Sequence, residues 1–261
     1  MSSAPVLHTL DARGVATVTL NRPAVNNAYN GELIAGLLSA MDALSARKEL
    51  RVVVLKGNGR HFQAGADLAW VRSIANESRK ENLEASRATA EAVDRLNRLP
   101  VPTVALVQGG CFGGGTGIVA ACDVVIAADN AMFSITEVRW GLTAAIIIPQ
   151  LADAISVRQL RRYALTGERF GAVEAVRIGL AHQVVPLDRL EASGAETVAR
   201  LLENGPVAMA ETKDTILESA WGNIDRKTFD ALVDAHARKR QTPEAAEGLA
   251  SFAENRAAHW K

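Results

Sequence analysis

The sequence predicts an α/β protein, because one order of elements occurs twice along the chain. In each case an apolar strand runs into a glycine-bearing turn, and a helix follows the turn. The two strands are residues 51–56 and 101–107, and a third strand, residues 123–128, follows the second helix. Buried strands that alternate with helices are typical of α/β architecture.

The residues before this repeated part predict a hairpin and one helix. Residues 5–10 and 14–20 are short alternating segments, and residues 11–14 form the turn between them. The segment from 30 to about 48 is predicted to be helical, with its apolar stripe against a sheet. The stripe consists of Leu33, Ile34, Leu37, Leu38, Met41 and Leu44.

The two glycine-bearing turns are residues 57–68 and 108–117. The first turn leads to a helix over residues 81–99 that ends before Pro100. The second turn is followed by a helix that opens at Ile118. A strand, a glycine turn and a helix N-terminus direct unpaired N–H groups at one point, which suits an anion or a developing oxyanion.

After about residue 151 the pattern is mostly helical, apart from a short strand at 183–185. Helices over 207–219 and 245–258 are predicted because each follows a proline at the first helical position. We expect two regions: a core domain over residues 1–205, and a helical region over 206–261 that covers a neighbouring subunit.

Composition argues against several classes of partner. The 261 residues include 29 basic and 29 acidic side chains, so no overall field attracts nucleic acid or an anionic membrane. The apolar run at 118–128 contains Asp123 and is too short for a bilayer span, and the N-terminus lacks the order of a signal peptide. We expect a cytoplasmic protein that binds neither nucleic acid nor membranes.

The cysteines and histidines predict no metal site. Cys111 and Cys122 are too few for a disulfide framework, and neither they nor the five histidines have the spacing of metal ligands. Cys111 lies in the glycine-rich turn, where a nucleophile is conceivable, but a small filler residue is the favoured interpretation.

The glycine-rich turn 108–117 has three interpretations. Its glycines could serve only close packing, or residues 115–120 could be a dinucleotide fingerprint with Glu137 as the ribose-binding acid. The fingerprint is a weak match, because it follows at least three strands instead of forming the first turn of its domain. In the third interpretation the N–H groups of Ala64 and Gly114 converge on one oxygen and form an oxyanion hole.

The residues of both turns resemble the signature loops of the enoyl-CoA hydratase/isomerase (crotonase) superfamily. The loops are Phe62-Gln63-Ala64-Gly65-Ala66-Asp67-Leu68, and Gly113-Gly114-Gly115 followed by Cys122-Asp123. The likeness covers nearly the whole chain. It includes Asn21-Arg22-Pro23, Asn27-Ala28, Phe133 with Glu137 and Gly141, Leu165-Thr166-Gly167 with Ala172, Gly179-Leu180, and Phe252.

The resemblance implies a fold and an assembly. The fold is a crotonase-like spiral of repeated ββα units, and residues 206–261 are its helical trimerisation region. We therefore expect a homotrimer, or a homohexamer built as a dimer of trimers.

The resemblance also implies a substrate and a site. Members bind an acyl-CoA thioester and hold its enolate oxygen with two backbone N–H groups, which map to Ala64 and Gly114. Coenzyme A arrives as part of the substrate, and no metal or redox cofactor is expected. Asp67 is expected to act mainly as a helix N-cap. The expected substrate-binding residues are Ala28, Ala64, Gly65, Ala66, Asp67, Leu68, Gly113 and Gly114.

The catalytic pattern departs from that of the common hydratases, which carry two glutamates. Glu137 matches the second glutamate, whereas Gly117 stands at the position of the first. Together with Gly117 and Glu137-Val138-Arg139, the segment 141–149 with its apolar run 144–148 is similar to the subset that hydrates branched substrates such as methylglutaconyl-CoA or isohexenylglutaconyl-CoA. A distal carboxylate needs a cationic or N–H partner, and none of the nearby Arg139, Arg158, Arg161 and Arg162 is assigned to it.

We therefore expect syn hydration of a 2-enoyl-CoA, with Glu137 as the catalytic carboxylate. A Δ3,Δ2-enoyl-CoA isomerase is the nearest alternative, because one glutamate is sufficient for it. Remoter alternatives are an NAD(P)-dependent oxidoreductase and a non-catalytic scaffold that binds CoA or RNA.

Overall fold

A computed structural model describes residues 4–221 and 226–256, whose largest sheet has six strands in the order β1-β2-β3-β4-β6-β9. The hairpin of β1 and β2 is antiparallel, and the other neighbouring strands are parallel. This mixed sheet with its helices confirms the α/β prediction. The strands are β1 (Val6–Leu10), β2 (Val15–Leu20), β3 (Val52–Gly57), β4 (Thr103–Val107), β6 (Val124–Ala128) and β9 (Gln183–Val185).

A second, smaller sheet lies over the ends of the first. It contains β5 (Gly110–Phe112), β7 (Met132–Ser134) and β8 (Phe170–Gly171), and Gln63 forms an isolated bridge to Cys111 of β5. Each of β3, β4 and β6 is thus followed by a short extended segment of this second layer. These pairs of extended segments match the predicted ββα repeat.

The helices agree with the sequence pattern in most places. They are α1 (Gly31–Ser45), α2 (Leu68–Ala75), α3 (Arg79–Asn97), α4 (Gly114–Ala120), α5 (Ile148–Thr166, interrupted at Ser156), α6 (Ala172–Ile178), α7 (Leu190–Leu202), α8 (Pro206–Trp221), α9 (Arg226–Arg240) and α10 (Pro243–Ala253). The helix predicted to open at Ile118 begins four residues earlier, at Gly114. The part of the last predicted helix beyond residue 256 lies outside the described residues.

The central strands are buried on both faces, which explains their continuous apolar character. Alternate residues of β3 and β4 belong to two different core clusters, with Val53 and Ala105 in one and Val54 and Val104 in the other. Helices cover both clusters, and the carboxyl ends of β3 and β4 lead directly into loops. The glycine-bearing turns begin at these ends.

The helices after residue 206 pack back onto the chain. Helix α9 lies against α3, and α10 lies against the short 3-10 turn Glu137–Trp140. A division at residue 205 and a role of this region in trimer formation stay predictions. No helix in the described part of the chain is long and apolar enough to cross a membrane.

Candidate active site

The Ala64 N–H, one of the two predicted oxyanion donors, is already engaged. It donates a hydrogen bond to the carbonyl oxygen of Asn26 at 3.0 Å. A backbone N–H has a single hydrogen, so this group is not free to bind a substrate oxygen. The structure therefore contradicts the assignment of Ala64, although Ala64 does line the cleft described below.

The Ala66 N–H is the free donor of this loop. Tyr29 N–H donates to Gly65 O at 2.9 Å, and Asp67 N–H donates to Tyr29 O at 2.8 Å. The carbonyl of Gly65 and the N–H of Ala66 belong to one planar trans peptide group and point in opposite directions. The Ala66 N–H therefore points away from Tyr29, and it has no hydrogen-bond partner within the described ranges.

Asn27 fixes the loop that carries this donor. Its side chain is fully buried, and its backbone has a positive φ of 57°. The Oδ1 atom accepts from the Arg22 N–H at 2.8 Å. The Nδ2 group donates to three carbonyl oxygens of the turn after β3, those of Asn58 (2.9 Å), His61 (2.9 Å) and Phe62 (3.2 Å). One amide side chain thus joins the two loops.

The second donor, the Gly114 N–H, lies at the first position of α4. An N–H at this position has no partner inside its helix, and no acceptor contacts it in the described structure. A Cβ built on Gly114 would lie 2.6 Å from Cε1 of Tyr29, so only glycine fits beneath that ring. The preceding Gly113 has a φ of +50°, which also favours glycine.

Glu137 places its carboxylate next to this helix start. A Cβ on Gly113 would lie 3.1 Å from Glu137 Oε1, so the carboxylate packs directly on the turn. The residue is partly exposed, but its Oε2 atom is buried and has no hydrogen-bond partner among the described residues. Burial raises the pKa of Glu137 to about 7, although the backbone N–H groups of residues 136 and 137 oppose the rise.

Tyr29 lies close to both Glu137 and Gly114. Burial and the nearby Glu137 carboxylate raise the pKa of Tyr29 well above its usual value, so its hydroxyl stays protonated. Its ring also packs edge-to-face on Trp70, with 5.8 Å between the ring centroids. The site therefore has an aromatic wall with one hydroxyl.

The position of the missing glutamate is filled by an apolar side chain. A Cβ on Gly117 would lie 2.2 Å from Cγ2 and 2.5 Å from Cβ of Ile147, which is itself buried. No carboxylate-bearing side chain fits there while Ile147 keeps its place. The absence of a glutamate at position 117 thus goes together with the apolar run that contains Ile147, because the Ile147 side chain occupies the space that a side chain at position 117 would need.

Tyr29, Ala66, Gly113 and Glu137 line a cleft of about 510 Å³, a size typical of small-molecule sites. Gly114 does not line this cleft but borders an adjoining apolar cavity of about 30 Å³, which Tyr29, Glu137 and His236 also line. The cleft brings together the predicted residues Ala28, Ala64, Gly65, Ala66, Asp67, Leu68, Gly113 and Glu137, and it adds Tyr29, Thr143, His236 and Arg240.

Asp67 has the structural role expected from the sequence. Its carboxylate accepts from the N–H groups of Ala69 (3.2 Å) and Trp70 (3.4 Å) and so caps α2. It also forms an ion pair with Arg22 at 3.3 Å.

Thr143 is a site residue that sequence reasoning missed. Its hydroxyl oxygen is buried without a hydrogen-bond partner, and the residue lines the same cleft as Glu137. The backbone brings the two close, because Leu142 N–H donates to Glu137 O at 3.0 Å. Thr143 and Tyr29 lie near recognised motifs, but His236 and Arg240 come from α9 and have no local sequence signal.

The arginines considered from the sequence lie elsewhere. Arg139 donates to Gly167 O at 2.9 Å, and the exposed Arg162 pairs with Glu168 at 2.7 Å. Neither these two nor Arg158 and Arg161 line the cleft.

The dinucleotide fingerprint finds no support in the geometry. A Cβ on Gly115 would lie 2.5 Å from Gln63 Oε1, and Gly117 packs on Ile147, so both glycines serve close packing. Cys111 is buried, and burial raises the pKa of its thiol, so it is a filler and not a nucleophile. The described residues contain no group of three side chains that could hold a metal ion.

Comparison with known proteins identifies the family. A family model described as enoyl-CoA hydratase/isomerase matches residues 11–261. The chain belongs to the enoyl-CoA hydratase/isomerase family.

Individual members agree with this assignment. The chain is 34% identical to a hydroxycinnamoyl-CoA hydratase-lyase of Pseudomonas fluorescens, over 77% of this chain and 74% of that protein. It is 30% identical to a short-chain-enoyl-CoA hydratase of Clostridium acetobutylicum, over 93% and 92% of the two chains. A crystal structure of an enoyl-CoA hydratase from Mycobacterium avium subsp. paratuberculosis has a TM-score of 0.87 and 31% identity, and the match covers 99% of each chain.

Proposed function

We propose that the protein hydrates a 2-enoyl-CoA thioester, with Glu137 as its single catalytic carboxylate. The observation that carries this proposal is the position of Glu137: its buried, unpartnered Oε2 lies beside the turn that presents the Gly114 N–H. A carboxylate with a pKa near 7 is suited to both accepting and returning a proton at neutral pH.

The thioester oxygen would bind between the N–H groups of Ala66 and Gly114. Water then forms a bond to the β carbon while Glu137 takes its proton, and the π electrons of the double bond move toward the thioester oxygen. The two N–H groups stabilise this enolate, and one such donor is worth about 3 kcal/mol of barrier. Glu137 returns the proton to the α carbon, so no cofactor beyond the coenzyme A of the substrate is required.

Thr143 supports hydration because it offers a polar group that could hold a water molecule. Such a group is needed because the site lacks a second carboxylate. A water molecule needs two or more polar partners to be held in a fixed position. The unpartnered hydroxyl of Thr143, together with Glu137, supplies two such partners on the wall of one cleft.

The second candidate function is Δ3,Δ2-enoyl-CoA isomerisation, and the contact between Gly117 and Ile147 favours it. Isomerisation moves one proton between the α and γ carbons and needs no bound water. A site with one carboxylate and an apolar side chain at the other position suffices for that reaction.

Two substrates distinguish these reactions. Hydration removes the conjugated absorbance of a 2-enoyl-CoA, whereas isomerisation of a 3-enoyl-CoA creates it. We expect turnover with the first substrate. A separate test is the Thr143→Val variant, which should lower kcat for hydration by about tenfold because one hydrogen bond is lost. Thr9→Val, at an exposed position of β1, is the matched control. Turnover of the 3-enoyl-CoA alone would establish the isomerase instead.

The branched glutaconyl-CoA substrate type is the finer form of this proposal. It is supported by Gly117 and by the apolar run that contains Ile147. Comparison of crotonyl-CoA with 3-methylglutaconyl-CoA in the hydration assay tests it. Assembly into a trimer or hexamer and a cytoplasmic location stay predictions.

A further inference from the structure

Arg240, at the end of α9, is a buried cation that borders the cleft. Only 3% of the residue is exposed. Its Nη2 group donates to Asn82 O at 3.0 Å and to Ser86 Oγ, both on α3. Its Nε group is buried and has no partner. Half of the guanidinium therefore holds α9 against α3, while the Nε–H remains unused.

No carboxylate neutralises this charge within the described residues. The Arg240 guanidinium lies 5.9 Å from the centre of the Trp70 ring, and its hydrogen-bond partners on α3 are neutral. Burial lowers the pKa of Arg240 to about 10, which still leaves it protonated at neutral pH. Burying a cation without a counter-ion is unfavourable, and functional sites are where such arrangements concentrate.

The surroundings of Arg240 offer further unused hydrogen-bond groups. Asn82 is fully buried, and neither its Nδ2 nor its Oδ1 has a partner. His236, one turn before Arg240, contacts Ser86 Oγ through Nδ1 at 3.1 Å, and burial lowers the pKa of His236 to about 3. The imidazole is thus neutral and leaves Arg240 as the charged group of this cluster.

Arg240 and His236 line the same cleft as Glu137 and Tyr29. The ring of Tyr29 packs over Gly114, so it stands between the turn at Gly114 and this cleft wall. A ligand that fills the cleft therefore meets both the Glu137 carboxylate and the Arg240 guanidinium.

We propose that Arg240, assisted by the Asn82 amide, binds a carboxylate at the far end of the acyl group. The substrate class is then a CoA thioester of an unsaturated dicarboxylic acid. This inference rests on the proposed function of the same site. A guanidinium donates charge-assisted hydrogen bonds to a carboxylate, and the unused Nε–H of Arg240 supplies one such donor.

A phosphate of coenzyme A is the competing occupant. Phosphates are larger and more strongly hydrated than a carboxylate, and Arg240 is almost entirely buried behind Tyr29 and Trp70. The exposed Arg169, which lies 5.3 Å from the Phe112 ring centre at the same cleft, is better placed for a solvated phosphate. A carboxylate therefore fits the Arg240 position better.

Binding of saturated thioesters tests the proposal without any turnover. Glutaryl-CoA and pentanoyl-CoA have five-carbon acyl groups, but only the first ends in a carboxylate. By calorimetry, the wild-type chain should bind glutaryl-CoA at least about tenfold more tightly, the effect of one charge-assisted pair. Arg240→Gln should abolish the preference. Arg238→Gln, an exposed control on the same helix, should leave it unchanged.

The outcomes separate this inference from the proposed reaction. The inference is wrong if the wild-type chain shows no preference for glutaryl-CoA. It is also wrong if Arg240→Gln loses affinity equally for both thioesters, because Arg240 would then bind the coenzyme A part that the two ligands share. A preference for glutaryl-CoA in a protein that fails the hydration assay would overturn the reaction only. If Arg240→Gln does not fold, Asn82→Leu is the alternative variant, because it removes no existing side-chain hydrogen bond. It should reduce the preference for glutaryl-CoA. An unchanged preference would count against carboxylate binding by Arg240 and Asn82.

Discussion

At the scale of single residues, the proposed chemistry depends on one carboxylate that is costly to ionise. A general base is active when deprotonated, and Glu137 has a pKa of about 7. We expect kcat/KM for hydration to rise with pH up to about 7 and to level off above it. Glu137→Gln should bind acyl-CoA with little change but lose turnover and this pH dependence. A rate that is independent of pH between 5 and 8, or an active Gln variant, would contradict the role.

The contact between Gly117 and Ile147 makes these two positions interdependent. Gly117→Ala should lower the free energy of unfolding by about 1–3 kcal/mol, because the new methyl group overlaps Ile147. Ile147→Ala alone should cost about 2–5 kcal/mol through the cavity it leaves. The double variant should cost less than the sum of the two, because the overlap with Cγ2 of Ile147 is gone and the space left by the shorter side chain lets the remaining overlap with Cβ relax. Urea unfolding measures all three, and strictly additive costs would show that the overlap is relieved elsewhere.

The proposed oxyanion donors show what a sequence can and cannot predict at this scale. The motif around Ala64 to Asp67 points to one loop, and that loop lines the cleft. The motif does not show which N–H of the loop is free, because successive peptide groups differ only in the direction of the N–H. The hydrogen bonds of Asn26 and Tyr29, residues far away along the chain, decide that Ala64 is engaged and Ala66 is free.

At the scale of elements, α10 supports the turn that carries Glu137. A Cβ on Gly248 would lie 2.2 Å from the carbonyl oxygen of Trp140, and Phe252 packs edge-to-face on the Trp140 ring at 4.8 Å. Helix α10 can thus approach the turn Glu137–Trp140 only with glycine at this position. Arg72 adds a hydrogen bond to Leu249 O at 2.9 Å.

We therefore expect Gly248→Ala to displace α10 and to lower kcat/KM by about tenfold or more, since small displacements of catalytic groups are costly. In an ordinary helix the same change would stabilise the protein by about 1 kcal/mol, because alanine has a higher helix propensity than glycine. At position 248 we expect an unfavourable effect instead, because the new methyl group overlaps the carbonyl oxygen of Trp140. Gly171→Ala is the control, because nothing lies within 4 Å of its added methyl group. Steady-state kinetics of both variants check this, and equal activities would show that α10 does not position the turn.

Elements differed in how well the sequence predicted them. The long apolar strands and the helices with capping or proline signals were found, including the exact strand Gln183–Val185. The strands β5, β7 and β8 have only two or three residues, which is too short for any periodicity. Helix α9 was not predicted as a separate element, although it supplies two residues of the cleft. These features depend on tertiary packing, which local patterns do not contain.

At the scale of the whole molecule, the buried carboxylate links function to stability. The pKa of Glu137 is about 7 in the folded chain and 4.5 in an ordinary exposed glutamate. Between these values the folded chain binds more protons than the unfolded one, so the free energy of unfolding falls as pH rises. The Gln variant has no such proton. Relative to wild type, the free energy of unfolding of the Gln variant should therefore rise by about 3 kcal/mol between pH 4 and pH 8.

Chemical unfolding of both proteins at several pH values measures this difference. The stabilities of the two chains should be most alike at low pH and should diverge above pH 5. A constant difference across the whole range would mean that the carboxylate is solvated in the folded protein.

The side chain of Asn27 has a consequence for how the two loops can move. Its amide joins the segment around Arg22 to the carbonyl oxygens of Asn58, His61 and Phe62, while Tyr29 holds the Gly65 carbonyl. A shift of either loop would break several of these bonds at once, so both must move as one rigid body. The direction of the Ala66 N–H is therefore set before any ligand arrives, and little reorganisation remains to be done when charge develops on the thioester oxygen.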